Sequence, residues 1–188
     1  TATGGGSRDV PGQSAGQPLS VVLPDTREAV AAILRLAGQY HVPVVPIAGN
    51  TGLNGGAYGP EAILVSIERM NRIREIRNDA RVAIVEAGVI VAALDSAAAQ
   101  HGLTFPLAFG AAGSAMIGGV LPTNAGGANV LRYGNGRDLW LGLEVVLPAG
   151  SALDLMTALK EDQSGLDLRC QVGRASGRER GLSSADAA

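Results

Sequence analysis

The sequence predicts an α/β (α+β) chain of two lobes, a small parallel β-α-β lobe followed by a lobe of mixed sheet. Three observations carry this. Short apolar runs alternate with two amphipathic helical stretches. The first strand–helix–strand unit has short connections, as a parallel crossover requires. Each half also contains one dense glycine block, 46–59 and 110–127.

Taken in order, residues 1–18 (TATGGGSRDVPGQSAGQP) are rich in Gly, Ser and Pro and show no periodicity, so they are expected to form a flexible lead-in. Residues 19–23 make a short apolar strand. A helix follows, with Asp25 expected as its cap and Glu28 completing a capping box. Val30, Ile33, Leu34 and Ala37 fall at i, i+3, i+4 and i+7 and predict its buried face. Residues 42–47 and 62–67 read as strands on either side of the first glycine block. The segment ERMNRIREIR at 68–77 places four arginines among Met70, Ile73 and Ile76, with Glu68 and Glu75 between them. It is read as a solvated connector rather than a phosphate-binding surface. Residues 81–87 are strand-like, and 90–100 form a second helix with Ile90, Leu94, Ala97 and Ala98 on one face. Gly102 suits the left-handed position after that helix. The second glycine block is expected to be a loop. Strands at 139–147 and 152–156 flank the turn Pro148-Ala149-Gly150.

Composition narrows the function classes. Apolar residues are 46% and charged residues 17%, which a folded chain needs and a disordered one lacks. Aromatics are only 3% against 27 glycines, so the core must be aliphatic with close backbone approaches. A net charge of -2 gives no basic field for nucleic acid. The single cysteine, Cys170, excludes an internal disulfide and a multi-cysteine metal site within this sequence. No apolar run approaches the roughly 18 residues that span a bilayer. The sequence opens at Thr1 with no leader pattern, which fits a piece of a longer chain. A cytoplasmic location is expected, and the sequence is silent on oligomeric state.

The first block, PIAGNTGLNGGAYG, holds five glycines in eleven residues and no Lys or Arg. Its spacing is not G-x-G-x-x-G, and it leads into a strand rather than a helix, so the Rossmann reading fails. No Lys-Ser/Thr pair follows, so it is not a Walker loop. Two readings stay open: a mobile loop, or a nest of backbone N–H groups that binds an anion. The second block repeats the chemistry with Ser114, Gly118-Gly119, Thr123, Asn124 and Gly126-Gly127. Two nests in adjacent lobes suit one long ligand with a phosphate centre lying between them. Glycines that merely permit tight packing are the alternative.

Seven segments, PIAGNTGLNGG, ILVSIERMNRI, VEAGV, HGLTFPL, GSAMIGGVLPTNAGG, LRYGNGRDLWLGLEVVLPAG and LKEDQSGLDLR, occur in that order. Together they resemble the PCMH-type FAD-binding domain of the vanillyl-alcohol oxidase / p-cresol methylhydroxylase superfamily. The 2-hydroxy-acid branch is most similar: the D-2-hydroxyglutarate dehydrogenase, D-lactate dehydrogenase and glycolate oxidase FAD-subunit group. The resemblance spans about 19–169, with lobe one at about 19–76 and lobe two at about 77–169. It implies that Gly49, Asn50, Thr51, Gly52, Leu53 and Asn54 wrap the FAD pyrophosphate. It further implies that Gly113, Ser114, Gly118, Gly119, Thr123 and Asn124 contact the diphosphate, ribityl chain and flavin edge.

Relatives with covalent FAD often use a His or Cys beside the first motif. None lies in 46–59, so noncovalent FAD is expected, with His41 and His101 in structural roles. The chain departs from the family pattern at Val120 and Pro122, where relatives carry Asn and a small residue, and weaker flavin binding is expected from Val120. Residues 170–188 keep none of the family's next motif and are expected to be a divergent, disordered tail, in the manner of a frameshift. The resemblance implies oxidation of a D-2-hydroxy acid to a 2-oxo acid in the intact enzyme. It places the catalytic base, the substrate-gripping residues and any metal ligands in a downstream domain, so no catalytic or metal residue is nominated here. The alternative is a flavin- or nucleotide-binding module without catalysis. A different reaction on the same FAD scaffold is a third reading.

Overall fold

The computed structural model describes residues 17–52, 56–57 and 59–156. The tail 170–188, Cys170 and nearly all of the lead-in 1–18 lie outside them, as do Leu53 and Asn54 of the first glycine block.

Strands β1 (Ser20–Val22), β2 (Val44–Ile47) and β3 (Ile63–Ser66) form a parallel sheet in the order β1-β3-β2. Its register pairs Val21 with Leu64 and Val45 with Leu64 on the two sides of β3. The central strand is accordingly the buried one, with Leu64, Val65 and Ser66 out of solvent. Helix α1 (Arg27–Gln39) makes the crossover between β1 and β2. Its cap is Thr26 rather than Asp25: Thr26 is extended, and its hydroxyl accepts the Ala29 N–H at 3.2 Å. The buried line of the helix also differs. Ala31 and Ala37 are buried, while Val30, Ile33 and Leu34 are only half-buried. A neighbour distant in sequence accounts for the rotation. The turn at Gly150 sits over Ala31, and Arg35 donates to the Gly150 carbonyl at 3.0 Å.

The segment read as a solvated connector contains a strand. Strand β4 (Ile73–Arg77) pairs antiparallel with β5 (Val82–Val85). Ile73 and Ile76 stand three apart, which is not a strand period. A register shift between Ile73 and Glu75 inserts one extra residue and brings both isoleucines back toward the same face. The expected boundary between lobes at 76/77 thus falls inside β4.

Helix α2 (Val91–Ala99) buries Val91, Leu94 and Ala98. The second glycine block is not all loop. It contains α3 (Ile117–Thr123), with Pro122 inside it and Asn124 as a left-handed C-cap. Two glycines and a proline disfavour a helix, but burial of Ile117 and Val120 three residues apart outweighs that. These residues join Val89, Val91, Leu94, Leu107 and Ala115 in one aliphatic cluster, as the composition requires.

Helix α4 (Val130–Tyr133) and a 3₁₀ turn, Gly136–Leu139, precede strands β6 (Leu143–Val146) and β7 (Ala152–Leu155). The expected strand 139–147 is therefore shorter at its start. Gly150 has φ +75, as the tight turn demands, and Gly102 has φ +69 after α2. The β6–β7 hairpin is also tied to α1 by the Arg27–Glu144 ion pair.

Candidate cofactor site

Backbone contact between the two glycine blocks defines the site. A Cβ on Gly49 would lie 2.9 Å from the Ser114 carbonyl carbon and closer still to its oxygen. Only glycine permits that approach. Around this contact, Ile117 N–H donates to the Val89 carbonyl at 2.9 Å, and Gly118 N–H to the Ala87 carbonyl at 2.7 Å. The start of α3 is thereby held against the turn that follows β5.

The remaining glycines divide into two kinds. A Cβ on Gly118 would meet Ile67 at 2.7 Å and Ala87 at 2.8 Å, and one on Gly119 would meet Ala48 at 2.8 Å. These two glycines serve packing through their missing side chains. Gly52 and Gly113, in contrast, would meet no described atom within 4 Å, and neither has a positive φ. Neither protein packing nor backbone conformation requires glycine there. The same holds for Gly38 and Gly110, so open space by itself does not assign these glycines to a ligand.

The polar residues are also used unequally. Asn50 adopts φ 51, a conformation that asparagine tolerates better than most residues. Thr51 is exposed beside it. The exposed Ser114 hydroxyl reaches the Ala111 carbonyl only at 3.5 Å, so it is weakly committed. Thr123 is exposed, and its hydroxyl is spent on its own helix, donating to the Gly119 and Val120 carbonyls at 2.8 and 3.2 Å. Asn124 caps α3 and accepts the Arg137 N–H on Oδ1 at 3.0 Å. Val120 points into the apolar cluster, so an asparagine at this position would bury an amide there.

Chemically, the arrangement fits a dinucleotide with a diphosphate centre. Two loop backbones meet at Gly49 and Ser114, with open glycines on either side and uncommitted hydroxyls facing solvent. A separate cavity of about 570 Å³ lies between α2 and residues 104–112, and its lining includes Asp95, Phe105, Phe109 and Tyr133. None of the ten described residues among the twelve predicted cofactor residues lines it. Its acid is already committed, because Asp95 accepts from the Thr104 hydroxyl and the Phe105 amide at 2.9 and 2.8 Å.

The family model of the FAD binding domain matches residues 18–156. The chain belongs to this family. FAD is the ligand of this domain. The D-2-hydroxyglutarate dehydrogenase of Xanthomonas citri pv. viticola is 44% identical over 153 residues, 81% of this chain and 32% of the relative. The D-lactate dehydrogenase of Archaeoglobus fulgidus is 43% identical over 149 residues, 79% of this chain and 33% of the relative. Among solved structures, alkyldihydroxyacetonephosphate synthase superposes with a TM-score of 0.72 at 21% identity, covering 83% of this chain and 30% of that one. This last likeness concerns the fold. The FAD-binding domain described here thus spans about a third of the length of the curated relatives it matches.

At the end of β5, Glu86 is buried, its side chain 5% exposed. It accepts from the Arg72 backbone N–H at 2.9 Å and pairs with the Arg72 and Arg74 guanidinium groups at 3.0 and 3.3 Å. Burial alone would raise its carboxyl pKa, but these donors together hold it below the usual carboxylate value. The arginines of the expected connector therefore neutralise a buried acid. Among the described residues no group of His, Cys, Asp and Glu is placed to hold a metal, and no helix is long and apolar enough to cross a membrane.

Sequence reasoning passed over two side chains of the 3₁₀ region. Arg137 Nε and Trp140 Nε1 are shut off from solvent and have no acceptor among the described residues. The sequence carried one signal, the placement of its sole tryptophan and a nearby arginine just after the second glycine block.

Proposed function

We propose that this chain is the FAD-binding portion of a flavin-dependent oxidoreductase that oxidises a D-2-hydroxy acid to a 2-oxo acid. The single observation that carries the site is the Gly49–Ser114 backbone contact flanked by the open glycines Gly52 and Gly113. The named relatives supply the substrate class. In this reading Gly49, Asn50, Thr51, Gly52, Leu53 and Asn54 wrap the pyrophosphate, and Gly113, Ser114, Gly118, Gly119, Thr123 and Asn124 form the opposite wall. Gly118, Gly119 and Thr123 act mainly by shaping that wall, because their contacts face the protein. Bound FAD supplies the hydride acceptor, while the chain binds and orients it. The cofactor is held noncovalently, and acid precipitation is expected to leave the flavin in the supernatant. A cytoplasmic location belongs to the same proposal and is tested by cell fractionation.

Purified chain mixed with FAD is expected to show a perturbed flavin spectrum. At FAD about 100-fold above Kd, the gain in stability is about 2.7 kcal/mol, read as a rise in Tm. Neither change appearing would sink the binding reading. A second reading, binding without turnover, is favoured for this chain alone by its covering only a third of its relatives. Anaerobic addition of D-2-hydroxyglutarate or D-lactate is therefore expected to leave the flavin unbleached; bleaching would place the catalytic groups within these 188 residues.

Gly113→Ala separates ligand space from packing. The added methyl meets no described atom within 4 Å, so Tm is expected to hold. FAD affinity is expected to fall by about tenfold, the factor that corresponds to about 1.4 kcal/mol of lost binding. Calorimetric titration beside a melting curve checks both, and unchanged affinity would remove Gly113 from the site.

A further inference from the structure

The turn Gly136–Leu139 and its flanks carry donors without acceptors. Arg137 lies on the turn and Trp140 is its C-cap three residues on, the Trp140 N–H donating to the Arg137 carbonyl. Their Nε and Nε1 groups are both closed to water and meet no acceptor among the described residues. A buried donor left in that state is destabilising, and two on one turn call for a partner outside the described fold. Asp138, the acid of this turn, does not serve, because its carboxylate turns back to the Asn135 N–H at 2.8 Å.

Asn124 joins the same wall. Its Oδ1 is held by the Arg137 N–H, so the other half of the amide, the NH₂ group, is directed away from that bond. Asn124 thus has donors to offer to a ligand, and its oxygen is already engaged. Three neighbouring side chains therefore ask for an oxygen acceptor.

We propose that Asn124, Arg137 and Trp140 form a further wall of the cofactor site that binds an oxygen acceptor of FAD, either a flavin carbonyl or a phosphate oxygen. This rests on the placement of Asn124 beside the cofactor proposed above. Both N–H groups are buried and Trp140 packs against the aliphatic cluster, so they reach that oxygen only through a rearrangement of this turn on binding. Asn124 and Arg137 recognise acceptors, and the site selects against a ligand edge made of donors.

The test uses the 188-residue chain and two variants. Asn124→Asp keeps an oxygen for the Arg137 N–H and tolerates the left-handed backbone, but removes the donors. Arg137→Met keeps an apolar stem and removes the guanidinium. Each is expected to weaken FAD binding about tenfold or more, the scale of one lost hydrogen bond to a ligand. Asn124→Asp is expected to keep the wild-type Tm. Arg137→Lys, which retains a donor, is expected to bind FAD more tightly than Arg137→Met, a rescue that a purely structural role would not produce.

Trp140 is the sole tryptophan, so its indole N–H gives one resonance in the ¹⁵N-labelled protein. That resonance is expected to move on addition of FAD. Movement with riboflavin assigns the acceptor to a flavin carbonyl, and movement with ADP assigns it to a phosphate. Wild-type affinity in Asn124→Asp or Arg137→Met, or a stationary indole resonance at saturating FAD, overturns the proposal. Failure of the wild type itself to bind FAD sinks the cofactor reading and this one together, whereas unaffected variants of a binding wild type sink this one alone.

Discussion

Gly49→Ala is expected to abolish measurable FAD binding and to destabilise the fold as well. The new methyl would overlap the Ser114 carbonyl group and lie 3.2 Å from the Ala115 Cα. Backbone atoms cannot rotate away as a flexible side chain could, so the two loops must separate. Forcing an extra methyl group into a packed contact costs typically about 1–3 kcal/mol. The separation also moves the open glycines apart, so binding suffers beyond the loss of stability. Gly113→Ala is the control for stability alone, since its methyl meets no described atom within 4 Å and only its affinity is expected to fall. A melting curve and an FAD titration on both variants check the pair. Gly49→Ala with wild-type affinity would show that the loop contact does not organise the site.

The second large effect concerns Glu86 and acid. Glu86→Ala removes the acceptor shared by the Arg72 amide and the two guanidinium groups. Hydrogen bonds to a charged group are worth about 1.5–3 kcal/mol each, and the exposure of both arginines places this case toward the lower end. Glu86→Gln keeps an acceptor and is expected to cost less. The folded-state pKa of Glu86 lies below its unfolded value. Its contribution is therefore fully present above the unfolded value of about pH 4.3 and is lost as pH falls through the folded value. Urea unfolding of wild type and Glu86→Gln should differ at pH 7 and converge on acidification below that range. A difference that persists or grows in acid would refute the assignment.

Both predictions depend on contacts that no local pattern reveals. The arginine-rich segment illustrates why. Ile73 and Ile76 do not alternate, and the charges around them suggest solvent. A bulge corrects the spacing, and Glu86, brought alongside by β5, gives Arg72 and Arg74 a buried partner. Neither the bulge nor the partner can be inferred from 68–77 alone. Helix α3 is a similar case, because Gly118, Gly119 and Pro122 argue against it and only the cluster behind Ile117 and Val120 argues for it.

Local chemistry by itself determined a good deal. Apolar runs and helical periodicity marked the parallel β-α-β unit, α2 and the β6–β7 hairpin, because strands and helices bury faces at fixed periods. The absence of Rossmann and Walker spacing excluded those loops, and the ordered set of segments pointed to an FAD-binding domain. Tertiary structure alone decided which glycines the fold itself requires. Gly49, Gly118 and Gly119 answer to Ser114, Ala87 and Ala48, while Gly52 and Gly113 answer to no described protein atom. A glycine looks the same in sequence whether it spares room for its own fold or for a ligand. Only the atoms that the fold brings opposite it, from distant parts of the chain, separate the two.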